Sequence, residues 1–470
     1  MAIRFVLNGS AVEVSEAPPH QTLLQWLRTR GLCGSKEGCA EGECGACAVA
    51  IWTSGPAELG SHFEPVNSCL LSLHTLAGRE VVTIEGVAAS ENQLHPVQSA
   101  MVAAGGSQCG YCTPGFVVSL FCEYYRPGRR EFDPESISGN LCRCTGYRPI
   151  ADVARALPQP EPSDVRLVQL RRRAPELVAT AEAESGFFRP TSLQELWRLI
   201  ETYPAATLIA GGTDLMVYAN QRYQRWSALL SLEAVAELQV LEQAPHEVVI
   251  GAGVPLSRLE RWLHDEQLAL GTLQQLLPLF SSRLIRNRAT VGGNLATASP
   301  IGDLAPALLA LGAQVELASR QGLRTLPLAE FFTGYRQSAL RAGEVVRAVR
   351  VPRPFPSFQR FYKVSKRVLD DISTVASALT LTLDAQGVVQ QFGAGFGGIA
   401  ATPIAAGALE QIARGKPWNE HTLGLLVDEA ERLGTPQTDF RGSAAYRRAL
   451  LGKLLEKFFY ESLAHEEAAE

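Results

Sequence analysis

The sequence predicts a multidomain α+β protein, and three observations carry that prediction. At roughly 150 residues per domain, 470 residues imply about three domains. All ten cysteines precede residue 145, so one end of the chain is chemically unlike the rest. The hydrophobic pattern also changes twice, from strands around a helix to helices alone near residue 87, and to mixed α/β from Gly186 onward.

The elements follow in order. Residues 2–14 read as a hairpin: Ile3, Phe5 and Leu7 alternate, Asn8-Gly9 signals a turn, and Val12 and Val14 resume the pattern. Leu23, Leu24 and Leu27 form the face of a short helix that Gly31 stops. Ala48 to Trp52 and Val81 to Ile84 read as strands. His95-Pro96-Val97 opens a helix to Ala104, and Pro114 opens another through Phe121. Asp133-Pro134-Glu135 reads as a third helix start, and Ile150 to Leu157 as a fourth helix. Prolines at 158, 160 and 162 and the run Arg171-Arg172-Arg173 mark residues 158–185 as a linker with a solvated basic face. Strands are expected at Thr207 to Ala210, Val248 to Gly251, Val375 to Leu383 and Val388 to Phe392, with a helix over Leu304 to Leu311 and alternating helices at the end.

Composition excludes several classes. Apolar content of 46% and charged content of 19% suit globular cores, and a net charge of −5 with no basic stripe argues against nucleic acid. No apolar run reaches the ~18 residues of a membrane span, and the N-terminus lacks the charged and apolar regions of a signal peptide. Ten cysteines without such a signal suit a reducing, cytoplasmic setting and metal binding better than disulfides.

Eight cysteines form two sets. Cys39, Cys44, Cys47 and Cys69 are spaced C-x4-C-x2-C-x21-C, the spacing of plant-type 2Fe–2S ferredoxins. Glycines at 38, 42 and 45 let the backbone approach the sulfurs. Zinc sites usually carry a C-x2-C knuckle at both ends, and this set has one. Cys109, Cys112, Cys142 and Cys144 are spaced C-x2-C-x29-C-x-C, with pairs at two helix starts. Alone, this set also suits zinc; beside the first, and without histidines, a second cluster is the better reading. Cys33 and Cys122 fit neither set and are expected to be buried packing residues.

In the cysteine-free remainder, Leu208-Ile209-Ala210-Gly211-Gly212-Thr213-Asp214-Leu215 reads as a strand running into a glycine turn that suits a pyrophosphate. An ordinary strand–turn–helix unit is the alternative there; over residues 285–303, small and polar residues suit a cofactor approaching the backbone, with ordinary loops around a core helix as the alternative. Gly393 to Gly398 satisfies G-x-G-x-x-G, but it follows an antiparallel meander and precedes Pro403, so a dinucleotide fold is not expected there.

The segments Lys36-Glu37-Gly38-Cys39, Gly42-Glu43-Cys44-Gly45-Ala46-Cys47, Gln108-Cys109-Gly110-Tyr111-Cys112-Thr113-Pro114-Gly115 and Gly139-Asn140-Leu141-Cys142-Arg143-Cys144-Thr145-Gly146-Tyr147 resemble the iron–sulfur half of the molybdenum hydroxylases, the xanthine oxidase/dehydrogenase family. The resemblance covers nearly the whole chain. It implies a ferredoxin-like β-grasp 2Fe–2S domain (1–86), a helical-bundle 2Fe–2S domain (87–157), the linker (158–185), an α+β FAD domain of the vanillyl-alcohol-oxidase type (186–355) and a C-terminal α+β cap domain (356–470). It implies that residues 208–215 hold the FAD diphosphate and that Ala289, Thr290, Gly293, Asn294 and Thr297 line the cofactor. Asp303 would bind the adenosine portion or an adjacent polar group, Phe280 would pack near the flavin, and Val346 and Lys363 are further matching positions. Asp370-Asp371-Ile372-Ser373 resembles the segment where the nicotinamide arrives, and Gln108 matches a glutamine that contacts the pterin.

The resemblance does not extend to a molybdenum domain. It therefore implies the small subunit of a split bacterial xanthine dehydrogenase, working with a large molybdopterin-bearing partner chain in a heterodimer or heterotetramer. Hypoxanthine or xanthine would be oxidised to urate on the partner. Electrons would pass singly through the 109/112/142/144 cluster, then the 39/44/47/69 cluster, to FAD and on to NAD+. No residue of this chain would act as a catalytic acid or base. The alternatives are the same subunit of an aldehyde- or N-heterocycle-oxidising molybdenum hydroxylase, or a zinc-stapled interaction protein without redox activity.

Overall fold

Asn8 and Gly9 carry φ angles of 52° and 81°, the paired left-handed conformations of a tight hairpin turn. They join strands Ile3–Leu7 and Ser10–Val14, with Ile3 opposite Val14 and Leu7 opposite Ser10. The structure is a computed structural model, and it describes residues 2–54, 61–88, 93–174, 177, 180–182 and 185–469. The fold is multidomain α+β, and the chain divides into two compact units. One is Met1–Val235 with Ser282–Ala289; the other is Ala236–Ser281 with Thr290–Glu470.

In the first unit, the hairpin is part of a five-stranded mixed sheet. Its strand order is Ser10–Val14, Ile3–Leu7, Glu80–Val82, Ala48–Ser54, Ser61–Asn67. Ala48–Ser54 is buried on both faces, so its two-residue alternation divides apolar residues between two cores. Val49 and Ile51 meet Leu23 and Leu27 of helix Leu23–Thr29. Ala48, Ala50 and Trp52 meet Phe116 and Phe121 of helix Thr113–Tyr124. Strand Ala48–Ser54 is thus shared by two cores, one on the helix before the first cysteine set and one on the helix after Cys112. Helices Pro96–Ala103 and Arg148–Ala156 complete the helical part, and all three helices carry proline in their first turn.

Several local expectations need correction. The third helix start gives a single 3₁₀ turn, Pro134–Ile137, capped by Asp133. The strand expected to reach Ile84 stops at Val82, because Ile84–Gly86 turns into a 3₁₀ helix. Cys33 is exposed, not buried: it lies in the turn after Gly31, outside any apolar face. Cys122 is buried.

Within the segment read as a linker, Val165–Leu170 is a helix capped by Asp164; residues 175–176, 178–179 and 183–184 lie outside the described residues. The Tyr125 hydroxyl donates to Asp164, Gln169 Nε2 donates to Glu80 Oε1 at 2.8 Å, and Ser61 Oγ donates to the Arg172 carbonyl at 2.8 Å. The segment is therefore laid along the cysteine-bearing part. Arg171, Arg172 and Arg173 are exposed.

The first unit also contains the sheet Thr180–Glu182, Phe187–Arg189, Leu229–Ser231, Thr207–Ile209, whose last three strands run parallel. Residues 282–289 return to this unit. Arg283 and the fully buried Arg286 form ion pairs with Glu135, and Arg283 also reaches Asp133 at 2.9 Å.

The second unit holds two sheets. The first is ordered Leu241–Gln243, Glu247–Gly251, Val345–Pro352, Gln314–Ser319, Gly322–Pro327. The second is ordered Phe358–Val364, Val375–Leu383, Val389–Gly397, Ile404–Ala405. The G-x-G-x-x-G segment lies in and just past strand Val389–Gly397, as its antiparallel setting suggests. A Cβ on Gly393 or Gly395 would stand 2.1 Å from the carbonyl of Ala310 or Pro306. These glycines let helix Leu304–Ala310 lie flush on the sheet. Helices Gly407–Ala413, Glu420–Ala430 and Ala444–Ala469 follow, with Phe392, Trp418 and Phe458 at the centre of their core. Among the described residues no helix is long and apolar enough to cross a membrane.

Candidate functional site

The first cysteine set is shaped by backbone that only special residues tolerate. Gly42 and Gly45 have φ of 89° and 63°, and Ala40, unusually for alanine, has 56°. A Cβ on Gly38 would lie 2.7 Å from Cys44 Sγ. Backbone N–H groups already point at sulfur: Cys39 N–H donates to Cys44 Sγ at 3.4 Å and Glu41 N–H to Cys39 Sγ at 3.5 Å. Cys47 Sγ donates to Asn67 Oδ1 at 3.6 Å, and Cys69 sits in the 3₁₀ turn Ser68–Leu70.

The thiols meet in pairs. Cys39 pairs with Cys44, and the hydrogen bond from Cys44 draws Cys39 down to about 5. Cys47 pairs with Cys69, whose hydrogen bond likewise holds Cys47 below the usual thiol range. In the second set Cys109 pairs with Cys144, and Cys112 with Cys142. Burial pushes Cys112 up to about 12, and the bond shared with Cys142 adds to it. Burial would raise Cys142 too, but Thr145 outweighs it through its hydroxyl and its N–H, 3.1 and 3.5 Å from Sγ.

Among the described residues, no three His, Cys, Asp or Glu side chains converge to hold a single ion. Two thiols per metal is the arrangement a two-iron cluster needs. The donor chemistry and the glycine backbone therefore fit that group at both sets.

The two sets differ in exposure and are bridged. Cys47 and Cys69 are buried, while Cys109 and Cys144 are exposed, as is Gln108 beside them. Leu141, next to Cys142, donates its N–H to the Cys44 carbonyl at 3.0 Å, and Asn140 Nδ2 donates to the Gly45 carbonyl at 3.2 Å. A Cβ on Gly115 would stand 2.2 Å from that same carbonyl, so glycine is needed there.

In the first unit, strand Thr207–Ile209 runs through Ala210 into Gly211-Gly212, and helix Leu215–Gln221 follows. Gly212 has φ 80°, and a Cβ on Gly211 would lie 1.7 Å from the Arg288 carbonyl. The Arg288 side chain is held by Glu233 at 2.6 Å, and Arg79 from the cysteine-bearing part binds the same carboxylate. Burial alone would raise Glu233, but Arg288 and Arg79 reverse this and hold it well below the usual carboxylate range. The glycine turn is thus closely packed against the backbone of Arg288 and Ala289. Thr213 is half-buried, Asp214 is exposed, and Ala289 is buried.

In the second unit, Thr290 caps helix Val291–Thr297 by accepting from Gly293 N–H, and Thr297 Oγ1 donates to the Gly293 carbonyl at 2.9 Å. Asn294 is half-buried. Asp303 and Lys363 form a buried ion pair at 3.0 Å, with side chains 7% and 3% exposed. Ser373 donates to the other Asp303 oxygen at 2.6 Å, and Lys363 also donates to the Leu279 carbonyl at 2.8 Å. Asp303, Lys363 and Ser373 therefore form one polar group, and Leu279, which accepts from Lys363, directly precedes the half-buried Phe280. Val346 is buried in strand Val345–Pro352, opposite Leu317. Asp370 has φ 51° and Asp371 accepts from Arg367 N–H.

Sequence reasoning missed Asn67, Asn140, Asn220 and Gln221, which hold the cysteine loops, and the Arg79–Glu233–Arg288 group. Apart from Asn140, inside a quoted motif, no local pattern marks them, since their partners lie far away in the chain.

Four family descriptions match the chain in succession: "2Fe-2S iron-sulfur cluster binding domain" over 5–73, a 2Fe-2S binding domain over 83–155, "FAD binding domain in molybdopterin dehydrogenase" over 182–354, and "CO dehydrogenase flavoprotein C-terminal domain" over 360–462. A xanthine dehydrogenase of Emericella nidulans is 30% identical across 99% of this chain and 39% of its own length. The chain thus spans about two-fifths of the curated relatives it matches. Among solved structures, reconstituted CO dehydrogenase from Oligotropha carboxidovorans matches with 26% identity and a TM-score of 0.54, over 60% of this chain and 97% of that one. Quinoline 2-oxidoreductase from Pseudomonas putida 86 matches with 26% identity and a TM-score of 0.54, over 61% of this chain and 98% of that one.

Proposed function

We propose that this chain, which carries the iron–sulfur and flavoprotein domains found in molybdenum hydroxylases, is the electron-transfer subunit of a xanthine dehydrogenase. The observation that carries the reading is continuity. The xanthine dehydrogenase relative aligns with 99% of this chain, whereas the CO dehydrogenase and quinoline-oxidising chains align with about three-fifths of it. Iron–sulfur and flavin segments joined in one chain favour the xanthine branch.

In this reading, the thiols of the two sets hold two 2Fe–2S clusters. Residues 208–215, Phe280, Ala289, Thr290, Gly293, Asn294, Thr297, Asp303, Val346 and Lys363 serve FAD. When bound, the clusters pass single electrons and the flavin pairs them for delivery to NAD+. The protein's own contribution is placement. Gln108, Cys109 and Cys144 offer the exposed face to a large molybdopterin-bearing partner chain, in a heterodimer or heterotetramer. Leu141 and Asn140 hold the two sets at fixed spacing. Lys363, neutralised by Asp303 and fixed by the Leu279 carbonyl, orders the flavin end. The setting is cytoplasmic, where the ten thiols stay reduced. Substrate oxidation, from hypoxanthine or xanthine to urate, belongs to the partner.

The test is to purify the complex and measure xanthine-dependent NAD+ reduction together with iron, sulfide, flavin and molybdenum. About four irons per chain and urate formation are expected. Zinc in place of iron overturns the reading. The structural likeness to quinoline 2-oxidoreductase favours a second reading, an N-heterocycle-oxidising complex, and turnover of quinoline but not xanthine selects it.

A further inference from the structure

Helix Leu215–Gln221 begins where the glycine turn ends, and its last two residues are carboxamides that reach the first cysteine set. Asn220 Nδ2 donates to the Cys69 carbonyl at 2.8 Å and to the Ala40 carbonyl at 2.9 Å. Gln221 Nε2 donates to the Cys39 carbonyl at 2.8 Å. An amide nitrogen has two N–H groups, and Asn220 uses both. One of its acceptors, Ala40, is held at φ 56°, a conformation that disfavours a residue with a Cβ. The same helix is tied to the set at its other end. The Cβ position of Gly212 lies 3.3 Å from the carbonyl of Leu70, the residue after Cys69. Cys47 and Cys69 share a hydrophobic cluster with Ile209, Met216 and Ala219. A seven-residue helix is about 10 Å long, so turn and thiols are separated by little more than this one element. The first set is polarised as a result. Cys44 carries the bridge from the second set, while Cys69 carries the bridge to the glycine turn.

We infer that Asn220, assisted by Gln221, is a positioning residue that ties the first cluster's ligand loop to the glycine turn proposed for FAD, so that filling either site changes the other. The inference rests on the cluster and flavin assignments above. Its physical content is that carbonyls fixed by hydrogen bonds fix the direction of the attached thiolates, as outer partners do for metal ligands generally. Binding coupled in this way is reciprocal: FAD and the first cluster alter each other's retention by the same factor.

The experiment uses the full chain loaded with iron, sulfide and FAD. The first-cluster component of the visible circular dichroism or paramagnetic resonance spectrum is identified as the one missing in Cys44→Ser. It is recorded with and without FAD, and FAD affinity is measured with and without that cluster. In the unaltered chain the component shifts on adding FAD, and loss of the cluster weakens FAD binding roughly tenfold, the size of two ordinary hydrogen bonds. Asn220→Leu keeps the side chain's branched shape but has no donor. It abolishes the shift and weakens FAD binding by a similar factor, leaving the second-set component in place. Asn220→Gln restores part of both. Gln221→Leu, at an exposed position that tolerates change, costs about threefold. An unchanged FAD-dependent shift in Asn220→Leu and Gln221→Leu overturns the inference; if Asn220→Leu does not fold, an unchanged shift in Gln221→Leu does so alone. If the chain takes up both cofactors but neither affects the other, this inference alone fails. If it takes up no FAD or no cluster, the functional reading fails and this inference with it.

Discussion

Leu141 and Cys44 are joined by a backbone hydrogen bond of 3.0 Å, and Leu141 is the covalent neighbour of Cys142. One peptide and one hydrogen bond therefore connect a cysteine of each set. The spacing between the sets is a property of backbone, which resists side-chain substitution far better than a surface contact would.

Cysteines inside and outside the sets should separate cleanly. Cys44→Ser should lose about half of the bound iron, because Cys39 is left without its partner. Cys122→Ser places a hydroxyl in an apolar site whose thiol burial already pushes well up, and should cost about 1–2 kcal/mol of stability without iron loss. Iron and sulfide analysis with thermal unfolding distinguishes them, and equal iron loss in both would count against the ligand assignment.

Asp303→Ala should destabilise the second unit by about 3–5 kcal/mol, since it strands a buried ammonium. FAD retention should fall with it. The double variant Asp303→Ala/Lys363→Met removes both charges and should recover much of the stability in denaturant unfolding. If it does not recover FAD retention, the cation itself serves the cofactor.

Gly211→Ala forces a Cβ onto the Arg288 carbonyl. A backbone atom cannot step aside as a flexible side chain can, so a loss of about 2 kcal/mol is expected, with weaker FAD retention. Flavin released on gel filtration measures it, and normal flavin content in a folded Gly211→Ala chain would remove the turn from the cofactor site.

Acid sensitivity should trace to His95. Val97 N–H donates to His95 Nδ1 at 3.2 Å, so the proton sits on Nε2, which faces the Tyr125 hydroxyl; Tyr125 in turn donates to Asp164. Burial draws His95 down to about 4; Asp164 opposes this, and Arg166 reinforces it. The folded state keeps the ring neutral while the unfolded chain takes up a proton from about pH 6.5 downward. Stability is therefore full above pH 6.5 and falls as pH drops from 6.5 toward 4, by up to about 3 kcal/mol. His74, also lowered chiefly by burial, acts in the same direction. His95→Asn keeps a capping side chain without the titration. It should flatten part of this slope in urea unfolding followed by circular dichroism; an unchanged slope would clear His95.

What was legible in the sequence was local. Asn8-Gly9 announced its turn, Pro96 and Pro114 their helix starts, and the cysteine spacings their sets, because each depends on neighbours a few residues away. Strand Ser61–Asn67 was not announced, since Pro65 interrupts its pattern. Cys33 looked like packing because a small apolar residue next to a helix usually is, yet its turn faces water. Arg286 is fully buried against a partner, Glu135, that lies 151 residues earlier in the chain. Asn220 is the sharpest case: its acceptors are 151 and 180 residues away. Long-range polar pairing leaves no periodic trace in a sequence.

Residues 282–289 close the cysteine-bearing unit from far downstream, and this has a consequence for how the chain is made. Arg286 cannot reach Glu135, nor Leu284 settle beside Gly139, until the ribosome has synthesised well beyond the last cysteine. A nascent chain halted after Cys144 would expose the surface those residues cover. Final closure of the metal-binding end therefore follows synthesis of the flavin-domain segment, and a gene fragment encoding only the first 157 residues would yield a protein missing part of its own wall.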